Sequence, residues 1–154
     1  KLSSQIYINP KDPYNLFGVF SDSLPDGWGE LLVARYLGKQ GIDYAKLSPL
    51  TKLTLISNSG LGGLKYEPTQ DINNTCGKDY DFDKMAQEIK KILNDDYQKK
   101  TLDDIYQLGG SSGGARPKVH ININNEGWII KFPSHIDSKN IGQDEFHANL
   151  LAKK

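Results

Sequence analysis

Four glycines and two serines occupy six consecutive positions, Gly109-Gly110-Ser111-Ser112-Gly113-Gly114, and lead into Ala115-Arg116-Pro117-Lys118. A backbone without Cβ atoms approaches a ligand closely, and successive amides turned into a concavity form a nest for an anion such as phosphate. The pattern is neither a Walker A loop, which ends in Gly-Lys-Ser/Thr, nor the dinucleotide fingerprint, which needs a strand before it and a helix after. By itself it also fits a plain connector between a helix and a hairpin. Two charged residues downstream add to it. Lys131 sits in the apolar run Trp128-Ile129-Ile130-Lys131-Phe132, and Glu145 opens the helical pattern from Asp144 to Lys154. A glycine loop over phosphates, a strand lysine that pairs with them and a helix glutamate that holds the lysine are the ordered parts of a kinase-type nucleotide site. Each residue also has a plainer reading, Lys131 as a solvent-facing strand residue and Glu145 as helix-surface charge.

Other chemistries find less support. His120, His135 and His147 share no metal-ligand spacing, and Cys76, the sole cysteine, lies in a polar stretch without a nearby histidine. Asp22, Asp26 and Glu30 read as helix-start charge. The Lys90-Lys91 and Lys99-Lys100 pairs lie among aspartates, which argues for a solvated face rather than a phosphate-tracking groove. Formal charge is zero, from 19 basic and 19 acidic residues, so no net field draws the chain to nucleic acid or an anionic membrane. With 37% hydrophobic residues and 15 glycines in 154 positions, the composition is that of a globular domain. A single cysteine excludes an internal disulfide, and cytoplasm is the expected compartment. There is no initiator methionine, and the last helical pattern runs to Lys154 without a stop signal, so both ends are expected to lie inside a longer protein.

The elements that must position these residues follow from periodicity. Leu2 to Ile8 alternates as a short strand, and Leu31, Leu32, Arg35 and Tyr36 space helically before Gly38 and Gly41. Ser48-Pro49 opens a helix from Leu50 to Ser57. Gly60 to Tyr66 reads as a turn entering a strand, and residues 67–80 as a polar linker. Phe82, Met85, Ala86, Ile89, Ile92 and Leu93 make the strongest amphipathic pattern, capped by Asp81 or Asp83. Thr101 and Asp104 resemble a capping pair for a short helix through Gln107. A flexible loop at 108–117 then precedes a hairpin: a strand at 118–123, a turn at 124–127 and a strand at 128–132.

Together these blocks resemble HipA-like serine/threonine protein kinase toxins. Gly110 to Lys118, Trp128 to Pro133, Asp144-Glu145-Phe146 and Leu150-Leu151-Ala152 are similar to successive family motifs. Phe20 to Gly29 and Gly60 to Tyr66 resemble upstream signatures, so the likeness spans most of residues 16–154. It implies the toxin of a bacterial toxin–antitoxin pair, using ATP and magnesium to phosphorylate a protein substrate and held by a HipB-like DNA-binding antitoxin. It implies nucleotide binding by Gly110, Ser111, Ser112, Gly113, Gly114, Ala115, Lys118, Lys131 and Glu145, with Lys131 pairing the phosphates and Glu145 as its helix partner. Ser111 matches the loop serine that such kinases autophosphorylate, and adjacent Ser112 leaves the choice open. The family's base and metal-binding aspartates lie downstream of the final helix, so no catalytic or metal-binding residue is assigned and the chain is expected to be inactive alone. The family's N-terminal strand region is missing or shortened.

The expected fold is α+β: a helical N-terminal subdomain (1–66), a linker (67–80), and a helix leading into a partial kinase-like small lobe with an antiparallel β-hairpin (81–154). The competing expectation is a noncatalytic protein-interaction module that contacts an antitoxin or another partner. Phosphorylation of Ser111 would add roughly −1.5 to −2 charges beside the nest. That charge is expected to drive a mobile 109–116 loop out toward Arg116 or Lys118.

Overall fold

The computed structural model describes residues 16–56, 64, 66–67, 80–110 and 112–153. The expected strand at 2–8, Cys76 and nearly all of the 57–79 stretch lie outside them. The elements are α1 (Gly18–Ser21), α2 (Gly27–Gly38), a 3-10 turn (Tyr44–Lys46), α3 (Pro49–Thr54), α4 (Phe82–Leu93), α5 (Lys99–Gly109), β1 (Lys118–Ile123), β2 (Glu126–Lys131) and α6 (Ile141–Ala152). The fold is α+β, with helices around one antiparallel hairpin. No helix among the described residues is long and apolar enough to cross a membrane.

Local chemistry explains most boundaries. Asp81 caps α4 by accepting the Lys84 amide at 2.9 Å, and Ser48 caps α3 by accepting from Thr51 at 3.1 Å with Pro49 in the first turn. α2 is followed by Gly41 at φ +77, where the Ile42 amide returns to Leu37 O at 3.1 Å. Helix α5 is longer than the expected 101–107 segment. It starts at Lys99 after Gln98, which makes no side-chain cap, so Thr101 lies within the helix rather than at its start. The hairpin turn is also tighter than expected. Asn124 and Asn125 both take positive φ (52° and 64°), the two-residue turn whose twist matches paired strands, and so Glu126 and Gly127 join β2.

One core unites elements from before and after the 67–80 stretch. Trp28, Leu32, Val33 and Leu37 of α2 pack with Ile89 and Ile92 of α4, Leu102, Ile105 and Tyr106 of α5, and Val119 and Ile121 of β1. Tyr36 stacks on Tyr106 with centroids 4.2 Å apart, and burial pushes the Tyr106 hydroxyl up to about 12. Each of the large apolar side chains contributes roughly 1.5–3 kcal/mol by leaving water. Trp28 also carries a polar contact, because its Nε1 donates to Lys118 O at 2.9 Å and ties α2 to the first residue of β1.

Trp28→Phe removes that donor and part of the indole volume. The expected loss is roughly 1–3 kcal/mol, seen as a lower urea midpoint with an unchanged slope.

Candidate functional site

The glycine loop is held by the turn that starts α2. Trp28 N donates to Gly114 O at 3.0 Å, and Gly114 N donates to Asp26 Oδ1. The approach is so close that side chains are excluded on the turn. A Cβ on Gly29 would lie 2.0 Å from Ser112 O, and one on Gly27, already at φ +47, would lie 2.8 Å from Gly114 O. Gly109 and Gly110 face inward, toward Lys118 O and the Tyr106 ring. The described part of the loop is therefore anchored rather than free-standing. Local reading of 108–117 as flexible missed this because the anchors lie more than 80 residues upstream.

The loop's outer rim, Gly113, Gly114 and Ala115, is exposed beside two lysines. β1 and β2 place Lys118 directly opposite Lys131, with His120 opposite Ile129 on the same face, while Val119, Ile121 and Ile130 turn to the core. Like charges directly opposite each other destabilise a strand pair. Burial, aided by the Lys131 charge and opposed by Asp26, lowers the Lys118 ammonium below the ordinary lysine range. Burial and then Lys118 likewise lower His120. Lys118 Nζ donates to Gly113 O, which keeps this cation at the loop's edge. Two lysines thus stand beside the loop rim, while the amides of Gly110, Ser112 and Gly114 are already given to Tyr106 O, Gly109 O and Asp26 Oδ1.

Lys131 meets Glu145, the helix residue that the kinase-type order of parts pairs with it. Its Nζ lies 3.3 Å from both carboxylate oxygens, bridging β2 to α6. Glu145 is shared with Arg116, whose Nη1 contacts Oε1 at 2.5 Å. The same guanidinium reaches Asp137 Oδ1 through Nε at 3.2 Å and Nη2 at 3.1 Å. Asp137 Oδ2 in turn accepts from Ser134 N at 2.8 Å and Ser134 Oγ at 2.9 Å. A tight turn thus fixes Asp137, Asp137 fixes Arg116, and Arg116 and Lys131 together fix Glu145.

The expected site residues divide by environment. Lys118, Lys131, Glu145 and the exposed loop rim share one side of the hairpin, whereas Gly110 and Ser112 turn into the protein. Ser112 is buried and its Oγ donates to Gly109 O at 2.5 Å, so its hydroxyl is engaged inside the loop. Ser111 lies outside the described residues. Sequence reading missed Asp137 and Ser134, for which only the short spacing Ser134-His135-Ile136-Asp137 gives a local signal. Asp26 sits at the start of α2 as expected, but its side chain makes no cap bond there and extends to the loop. Among the described residues no three His, Cys, Asp or Glu side chains gather as metal ligands.

The Ser134 backbone amide, helped by the Ser134 hydroxyl and Arg116, holds the Asp137 carboxyl below its ordinary range against desolvation, which is second in size only to the amide. A depressed carboxylate contributes stability that is fully present above its unfolded value, about 3.9, and is lost as pH falls through the lower folded value. Asp137→Asn should flatten the acid limb of a stability-versus-pH curve below about pH 4. A carboxyl carbon titration of wild type should place the Asp137 midpoint below the ordinary aspartate value.

Compared with family models, curated proteins and solved structures, the chain matches none.

Proposed function

We propose that this chain carries the phosphate-gripping part of an ATP-dependent serine/threonine protein kinase of the HipA toxin type. The observation that supports it most is the contact between Lys131 on β2 and Glu145 on α6, on the sheet face that also bears Lys118 beside the glycine loop. Lysine ammonium groups and backbone amides suit the β- and γ-phosphates of a nucleotide, and a carboxylate behind the lysine keeps it charged and aimed. Bound ATP would supply the phosphoryl group, while these residues hold and orient it. The described carboxylates do not make a magnesium site of their own, and none is assigned to the metal. In this reading the acceptor is a protein hydroxyl, the setting is cytoplasmic and the partner is a HipB-like antitoxin.

A second reading, a protein-interaction module, draws on α6. None of its residues is buried, and Phe146, Leu150 and Leu151 are 61%, 47% and 70% exposed. An apolar surface of this kind is a common contact site for another protein.

Calorimetric titration separates the two. ATP and pyrophosphate should bind the chain while adenosine does not, and Lys131→Ala should weaken both roughly tenfold or more, the loss of one charged hydrogen-bonding group. Equal affinities in wild type and Lys131→Ala would remove Lys131 from the site. Phosphate-independent binding of a protein partner through α6, with no response to ATP, would favour the interaction module.

A further inference from the structure

An aspartate at the N-cap of a helix ordinarily accepts an amide from that helix's first turn. Asp26 occupies this position on α2 and makes no such bond. Its Oδ1 instead accepts the amide of Gly114, a residue held at φ +84, and it lies against Gly113, where a Cβ would come within 3.1 Å of the same oxygen. Lys118 Nζ stands on the Gly113 carbonyl next to it, close enough for the Asp26 charge to support the protonated lysine. A glycine amide in a left-handed turn that holds a negatively charged oxygen, with a lysine nearby on the neighbouring carbonyl, has the parts of an oxyanion site. Here the anion comes from the chain itself.

We propose that Asp26 is an internal stand-in for a phosphate oxygen, and that a nucleotide polyphosphate engages the glycine loop by displacing it. The proposal rests on the phosphate-site reading above and adds a determinant of affinity to it. With the carboxylate in place the Gly114 amide is taken, and the loop rim carries a negative charge where the ligand must bring another. Asp26 anchors the loop in the absence of ligand and opposes the ligand's arrival. Replacing it with asparagine keeps a carbonyl oxygen for Gly114 and removes the charge.

Wild type and Asp26→Asn are titrated with pyrophosphate and with ATP at low salt. The expected result is binding at least about fivefold tighter in the variant, the effect of one like charge removed at contact distance in water. The gain should narrow as salt is added. A variant that unfolds like wild type yet binds equally or more weakly overturns the proposal and makes Asp26 a structural anchor only. A measurement on wild type alone guards against a variant that does not fold. In amide spectra the Gly114 resonance should move on saturation with pyrophosphate, and saturable binding that leaves Gly114 unmoved overturns displacement. If neither protein binds pyrophosphate or ATP, the phosphate-site reading falls together with this one, whereas binding that Asp26→Asn fails to improve removes Asp26's role alone.

Discussion

Everything at the candidate site depends on the close approach of two glycine-rich backbones, the turn at residues 26–29 and the loop at 109–114. The turn could not carry a side chain at the contact, since a Cβ at Gly29 or Gly27 would fall within 2.0 or 2.8 Å of a carbonyl oxygen of the loop. Bonds from Trp28 N to Gly114 O and from Trp28 Nε1 to Lys118 O then hold the loop at both its tip and its exit. Backbone polar groups need partners: the amides of Gly110 and Ser112 find theirs at the end of α5, on Tyr106 O and Gly109 O, and this docking supplies them for Gly114. The glycines permit the close contact, and the tryptophan makes it stable by filling the core beneath it.

On that base the charges form a chain of support. Exposed ion pairs are individually weak, and Lys131 and Glu145 are each about half exposed. What gives Glu145 a defined place is Arg116, whose other nitrogens are held by the nearly covered Asp137. Arg116 follows the glycine loop directly, so the position of the loop and the position of α6 are coupled through one guanidinium. A planar, multi-donor cation can serve two carboxylates at once, which a lysine at the same place could not do with the same geometry.

What the sequence made legible was local. The periodicity of α4 and its Asp81 cap, the Ser48-Pro49 start of α3 and the alternation of β1 could be read from neighbouring residues, because helix and strand patterns are set within a few positions. The pairing of Lys131 with Glu145 was expected on another ground, the order of loop, strand lysine and helix glutamate in a kinase-type site. The anchoring of the glycine loop was not legible, because Asp26 and Gly114 are 88 residues apart and nothing in either segment names the other. A run of glycines looks flexible when read alone. Whether it is held depends on which backbone lies against it, and that is a property of the packed core. The start of α5 was misplaced for a related reason: Thr101 and Asp104 have the spacing of a cap, but the amphipathic face that buries Leu102 and Ile105 carries the helix back to Lys99.

The hairpin shows why the two lysines end up side by side. Two strands alone are marginal in water, so this pair must give one face to the helices, and the twofold period of a strand decides which residues go. Val119, Ile121 and Ile130 enter the core, and the intervening residues Lys118, His120 and Lys131 are thereby sent to the other face. Burying Val119 fixes Lys118 opposite Lys131, a repulsive arrangement that the strands would not adopt for its own sake. A shift of one residue in register would relieve the repulsion but expose the apolar set. Core burial outweighs the repulsion between two partly solvated ammonium groups, so the fold itself maintains a concentrated positive charge beside the glycine loop. Glu145 lies 3.3 Å from the Lys131 ammonium, while the Asp26 carboxylate acts on Lys118 from beyond ion-pair distance.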